Sequence, residues 1–285
     1  MAQRVLVTGA GGYIGRPVTS RLLDEGYDVI AVDRRIDGID QRAQILDEDI
    51  FDFSGDAFGR LGCPDLLVHL AWRDGFVHNS PAHMECLSDH VRFINAMVGA
   101  GCKQISVMGS MHEVGYHVGA IDETTPCNPQ SQYGVAKNAL RQALLLSAAN
   151  GGFSLTWLRA FYIVSDSMEG SSIFAKLLQA NARGDSTFPF TSGQNQCDFI
   201  TLDDLAGQIV AASTQTEITG VINTCTGRPV TLAAEVEQFI ADQHLKIKLE
   251  YGVFPDRPYD SPVIFGDTSK IDEILAARRR RPQQT

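Results

Sequence analysis

Short runs of Val, Ile and Leu alternate along the first half of the chain with stretches whose apolar positions recur at helical spacing. The strand-like runs fall at about 4–8, 28–33, 44–47, 65–71, 103–108 and 154–160, and the helical patterns near 12–25, 82–99 and 131–149. The strand runs are apolar at consecutive positions, as strands covered on both faces must be. The pattern therefore predicts an α/β fold built on a doubly wound parallel sheet of the Rossmann kind. Right-handed crossovers put its ligand crevice at the carboxyl ends of the strands.

After about residue 161 the rhythm changes. A helix near 171–181 precedes the Thr187–Thr191 stretch, and Asp198-Phe199-Ile200 leads into a helix at about 203–214. Val221-Ile222-Asn223 reads as one more strand of the main sheet. The expected division is a large domain over 1–161, with 198–225 returning to it, and a smaller C-terminal domain from 162–197 and 226–285. Pro255, Pro258 and Pro262 suit a small domain that closes over the crevice.

Composition narrows the partners. The chain has 285 residues, 44% of them hydrophobic, enough for a sizeable core. Its 24 basic against 34 acidic residues leave a formal charge of -10, which argues against nucleic acid as a partner. The basic run Arg278–Arg281, before Pro282, reads as a solvated tail. No stretch reaches the ~20 apolar residues that span a bilayer. The N-terminus enters a strand pattern directly, without a signal segment. The six cysteines are scattered and form no CxxC pair, so neither a disulfide framework nor a zinc site is expected. His112-Glu113 lacks the second histidine of a zinc-protease helix, since position 116 is Tyr. The expectation is a cytoplasmic protein with no metal and no membrane partner.

Thr8-Gly9-Ala10-Gly11-Gly12-Tyr13-Ile14-Gly15 follows the first strand and opens the first helix. In a dinucleotide-binding turn Gly9 supplies the tight bend, Gly12 the close approach of pyrophosphate and Gly15 the close helix packing. Tyr13 and Ile14 share that turn and are candidate cofactor contacts. Asp33 ends the second strand, where a carboxylate accepts hydrogen bonds from ribose hydroxyls and repels a 2′-phosphate. NAD is favoured on that ground; Arg34 and Arg35 offset the repulsion, so NADP stays possible. Asp49-Ile50 ends the third strand and either meets the adenine or begins a helix with Asp49 as its cap.

Tyr133 and Lys137 stand four residues apart on one helical face. A phenol with pKa ~10 is a poor proton carrier at neutral pH. A cation ~4 Å away is worth ~4 kcal/mol at an effective dielectric of ~20. The expectation is that Lys137 draws the phenol towards ~7, where proton transfer works best.

With these motifs the chain resembles the extended short-chain dehydrogenases, the family of nucleotide-sugar epimerases, dehydratases and reductases. The resemblance runs through the glycine turn, His69-Leu70-Ala71, Tyr133/Lys137, Leu158-Arg159-Ala160-Phe161, Asp198 to Asp204, and Asp256-Arg257-Pro258. It implies that Tyr133 exchanges a proton with a sugar oxygen while a nicotinamide exchanges a hydride with the same carbon. It implies that Lys137 also holds the nicotinamide ribose, and that Leu70, Ala71, Trp72 and Phe161 line the cofactor. Among the subgroups the chain looks most like the 4-keto-6-deoxyhexose reductases, acting on nucleotide-linked sugars.

Several positions depart from the family pattern. The usual third catalytic residue, a Ser or Thr, aligns with Met111, and Ser110 one step earlier is the nearest hydroxyl. Cys197 stands where an arginine commonly binds the substrate diphosphate, Tyr162 replaces a common Asn, and Trp72 a small residue. Arg257 keeps the other diphosphate arginine. Arg73, Met111, His112 and Tyr162 complete the expected substrate contacts, and His78 reads as a loop histidine. Glu113 beside His112 is a poor acid–base pair for dehydration. The expected activity is reduction of a nucleotide-linked 4-keto-6-deoxyhexose, with C4-epimerisation as the alternative and dehydration or sugar dehydrogenation behind it. A non-catalytic dinucleotide sensor is a further alternative, which the intact Tyr133/Lys137 pair opposes. The resemblance also implies a homodimer through helices 82–99 and 131–149.

Overall fold

The computed structural model describes residues 3–52, 56–256 and 260–280. The first strands are β1 (Arg4–Thr8), β2 (Asp28–Asp33), β3 (Gln44–Asp47), β4 (Leu66–His69) and β5 (Gln104–Ser110). They form a parallel seven-stranded sheet with the strands Ser154–Ala160 and Gly220–Thr224. From one edge the order is Gly220–Thr224, Ser154–Ala160, β5, β4, β1, β2, β3. The chain winds outward from β1 to β3 and then returns to β4 on the other side of β1, which opens a crevice above their carboxyl ends. The sheet is sealed on both faces. Val5, Val7 and Val68 face one apolar layer, and Leu6, Leu67 and Ile105 face the other.

Helices α1 (Gly15–Asp24), α2 (Ala57–Arg60), α3 (Ala82–Glu85), α4 (Leu87–Ala100) and α5 (Gln132–Ala149) follow in order. Two of them differ from the expected spans. The first starts at Gly15 rather than near residue 12, because residues 9–14 form the turn that precedes it. The 82–99 pattern is interrupted at Cys86, so α3 and α4 are separate helices.

A second sheet is assembled from later pieces. Its order is Pro229–Thr231, Gln196–Thr201, Val263–Gly266, Gly119–Ile121, with Tyr162–Val164 also pairing with Gln196–Thr201. A third apolar cluster, including Met111, Phe161, Phe174, Phe199 and Phe239, packs this part. Asp198, fully buried, binds it together: its carboxylate accepts from the N–H groups of Thr226 (2.9 Å), Gly227 (2.8 Å) and Gly266 (3.1 Å) and from the Thr226 hydroxyl (2.6 Å).

The basic C-terminal run is not simply a solvated tail. Its first three arginines end the helix Ser269–Arg280, and Arg278 pairs with Glu25 and donates to Thr214 Oγ1 at 3.2 Å. The helix carries Ile271 and Ile274 into the core, which fixes the turns that bear the charges.

Candidate active site

The crevice has one wall made mainly of backbone. Gly9 has φ +71°, and a Cβ there would stand 2.6 Å from the Ala71 nitrogen at the end of β4. A Cβ on Gly11 would come 1.7 Å from the Arg35 carbonyl oxygen, and one on Gly15 would come 2.0 Å from that of Gly9. Gly12 is less constrained, with its nearest atom at 3.1 Å. The tightest position is therefore Gly11, which the motif reading left without a role; its signal was the consecutive Gly11-Gly12. The Asp33 carboxylate is held in place by the N–H groups of Gly11 and Arg35, both at 3.0 Å. Ile14 precedes α1 with no side-chain cap, and the first turn of that helix carries no acidic residue. A helix N-terminus so arranged suits a pyrophosphate, and the small residues around it leave room for close approach. These residues fit a dinucleotide.

Asp49 begins no helix. Its carboxylate accepts from the Phe51 N–H at 3.0 Å in a tight turn and pairs with Arg34 at 3.5 Å, while Ile50 is buried. Tyr13 packs edge-on against Phe76 with ring centroids 6.0 Å apart. At the end of β4, Leu70 donates to the Thr8 carbonyl at 3.1 Å, and the Ala71 N–H reaches Thr8 Oγ1 at 3.4 Å. Phe161 is buried in the third apolar cluster.

The opposite wall is made of side chains. Ser110 ends β5 and its Oγ accepts from the His112 N–H at 3.3 Å, capping the short turn Met111–Glu113. The same hydroxyl hydrogen-bonds the Tyr133 phenol. Tyr133 and Lys137 project from the first turns of α5, which Ser131 caps through the Gly134 N–H at 3.1 Å. Lys137 Nζ donates to the Met108 carbonyl at 2.7 Å and lies 3.7 Å from the centre of the Trp72 ring.

The expected electrostatics are reversed. Burial pushes Tyr133 up to about 12, against the pull of the Ser110 hydroxyl. Burial also pushes Lys137 down to about 7, against the pull of Glu113. The reason is geometric: the ammonium turns towards Met108 and Trp72 and stands 5.8 Å from the Tyr133 ring centre. Desolvation then outweighs attraction.

Histidines surround the phenol. His78 stacks on Tyr133 (5.7 Å, 11°), and His83 and His112 meet it at 5.3 Å and 6.1 Å. His78, read from sequence as a loop residue, is brought here because its carbonyl accepts the Tyr133 N–H at 2.9 Å. His112 is held down to about 4 by burial and by His78, and His78 is lowered for the same kind of reason. Both imidazoles are thus neutral near pH 7. Beneath them Thr8, His69 and His90 form a buried chain with 2.8 Å links. Of the seven histidines, these five lie between 69 and 112, a density that sequence reading could have noticed. Among the described residues no group of His, Cys, Asp or Glu is arranged to hold a metal.

Tyr162 pairs with Phe199, meets His112 at 6.3 Å and hydrogen-bonds the buried Cys197. Met111 packs into the third apolar cluster, and Arg73 is exposed on its loop. Arg257 lies outside the described residues. Glu113 is fully buried, paired with Arg141 (3.4 Å) and Arg159 (3.6 Å), and accepts from Ser110 N (2.6 Å) and Trp157 Nε1 (2.9 Å). That carboxylate anchors the turn that carries Ser110.

The profile of the NAD dependent epimerase/dehydratase family matches residues 5–225. The chain belongs to that family. It is an NAD-dependent enzyme. It is 42% identical, over 92% of its own length and 98% of the relative's, to a dTDP-6-deoxy-L-talose 4-dehydrogenase (NAD(+)) of Aggregatibacter actinomycetemcomitans. A dTDP-6-deoxy-L-talose 4-dehydrogenase (NAD(P)(+)) of Kitasatospora kifunensis is 28% identical over 89% of this chain and 83% of its own. Among solved structures, MoeE5 in complex with UDP-glucose and NAD has 25% identity and a TM-score of 0.82, covering 96% of this chain and 92% of that one. A UDP-N-acetylglucosamine 4-epimerase of Methanobrevibacter ruminantium M1 shares the fold, with a TM-score of 0.83 at 21% identity over 96% and 92% of the two chains.

Proposed function

We propose that this enzyme interconverts a nucleotide-linked 4-keto-6-deoxyhexose and the corresponding 4-alcohol. The observation that carries the reading is the Ser110–Tyr133–Lys137 grouping beside the glycine turn, on a chain 42% identical to a 6-deoxytalose 4-dehydrogenase. Oxidation at C4 of a 6-deoxyhexose yields the 4-keto sugar, so dehydrogenase and reductase describe one reaction read in two directions.

A nicotinamide held in this crevice would supply the hydride for reduction and accept it for oxidation. The chain's own residues handle the proton and the pose. Tyr133 stands at the end of the sheet, its hydroxyl on Ser110, and donates its proton to O4 as the carbonyl is reduced. A phenol raised to about 12 carries its proton at neutral pH but gives it up less readily than a free phenol, so the donor role rests on its place beside Ser110 and not on its pKa. Lys137 holds the ribose and the charge beside it, Asp33 receives the adenosine ribose, and Gly9, Gly11, Gly12 and Gly15 make room for the pyrophosphate. Trp72, Tyr162 and the neutral His112 confine the hexose to one pose, which favours hydride transfer in place over the ring rotation an epimerase needs. Glu113, paired with two arginines, is not free to act in dehydration. Exposed Val135 and Leu146 on α5 support a homodimer through α4 and α5.

The test is to mix the protein with NADH and a nucleotide-linked 4-keto-6-deoxyhexose and follow nicotinamide absorbance. Stoichiometric loss of NADH is expected. Interconversion of two alcohols with no net change in NADH would overturn the reading in favour of an epimerase.

A further inference from the structure

Lys137 is 3% exposed, and among the described residues no carboxylate lies within ion-pair distance of its ammonium. One of its three N–H donors goes to the Met108 carbonyl. The remaining electron-rich neighbour is the Trp72 indole, with Nζ 3.7 Å from its centre. A desolvated cation over an indole face gains more than one over any other aromatic ring.

The indole is itself fixed. It stacks on His90 at 4.5 Å and 16°, and stands edge-on to Tyr133 at 6.1 Å and 85°. Its N–H, which can only donate, points at His83 Nδ1 at 3.1 Å. That nitrogen must therefore accept, so the proton of neutral His83 sits on Nε2, which donates to the Val77 carbonyl at 2.9 Å. The loop 73–80, α3 and the lysine are thereby joined through one ring.

We infer that Trp72 is a positioning residue: its indole, locked by His83, orients the Lys137 ammonium beneath the catalytic phenol and favours its charged form over the neutral amine. This rests on the reading of Lys137 given above. The titratable groups around the contact are His69, His90, His83, Tyr133 and Glu113. Loss of the ring removes stabilisation from the charged form alone, so Lys137 gives up its proton at lower pH.

The experiment compares W72F, W72L and K137M with the wild type. The chain has two tryptophans, so indole emission without cofactor can be read against the buried Trp157. The wild type should show a step in emission as Lys137 loses its proton, a group that burial pushes down to about 7. The step should be absent from W72F and K137M. In turnover the order should follow the strength of the ring, wild type above W72F above W72L, with W72L down about 30-fold, the scale of a desolvated cation–π contact. The alkaline limb of its pH profile should move to lower pH, while unfolding midpoints stay close. An emission step that persists in K137M, or W72F and W72L variants that behave alike, overturns the inference. K137M with normal turnover would instead bring down the catalytic reading, and the emission step would still judge the contact. If W72L does not fold, W72F and the emission step decide.

Discussion

The two walls of the crevice are built on different principles. The first wall is a backbone surface: its shape comes from missing side chains at Gly9, Gly11 and Gly15, and the Asp33 carboxylate is held there by N–H groups. The opposite wall is a side-chain surface, in which Trp72, His78, His83, His112 and Tyr133 orient one another through ring contacts, the Trp72 indole N–H and the Tyr133 backbone N–H. A backbone surface tolerates no added atoms, whereas a side-chain surface can be re-cut by one substitution while the fold stays intact. A shared cofactor and divergent substrates, as among the relatives, follow from that difference.

The contrast can be broken most sharply at Tyr133. Y133F should lower turnover by about 10²–10⁴-fold, the worth of a positioned acid, and leave NADH affinity unchanged by fluorescence titration. Normal turnover in that variant would mean that the side-chain wall does not carry the chemistry. On the other wall, adding one methyl should do more than deleting a charged group. G11A drives a Cβ against the Arg35 carbonyl, and overpacking of this kind costs ~1–3 kcal/mol, about a 5- to 150-fold loss of NADH affinity where the distorted turn carries the whole cost. D33A should cost about 10-fold for NADH, the scale of a charged hydrogen bond, and less for NADPH, from which it also removes a repulsion. Calorimetric titration of both cofactors ranks the two variants; D33A weaker than G11A would invert the comparison.

The last effect is on stability and lies outside both walls. Burial lowers His69 to about 3 and His90 further still, so below about 6.5, the ordinary imidazole value, the unfolded chain takes up protons that the folded chain refuses. Their contribution is intact above 6.5 and falls with pH by about 1 kcal/mol per unit for each group. Urea unfolding at pH 7 and pH 5 measures it, and a flat profile would mean that the Thr8–His69–His90 chain opens on acidification.

The strands of the main sheet were legible because burial on both faces writes a continuous apolar run, as in Val5-Leu6-Val7 and Leu66-Leu67-Val68. The glycine turn was legible because a backbone surface has a fixed spacing. What was not legible depended on where side chains meet. His78 reaches Tyr133 through a hydrogen bond between residues 55 apart, His78 and Tyr133. The direction of the Lys137 ammonium depends on Trp72 and Met108, which no helical spacing reveals, and the expected fall of the phenol pKa failed for that reason. Arg278 looked like tail because its partners, Glu25 and Thr214, are distant in sequence.

Asp198 has a consequence beyond its own hydrogen bonds. From that carboxylate the chain runs through the helix Leu202–Ser213, lays the edge strand Gly220–Thr224 on the main sheet, and returns to the same carboxylate at Thr226 and Gly227. The excursion is a closed stitch, so the two sheets are not modular. A chain ended near residue 161 would leave Ser154–Ala160 as a bare edge, open to pairing with other molecules. The second sheet therefore cannot be exchanged as a cassette without opening that edge.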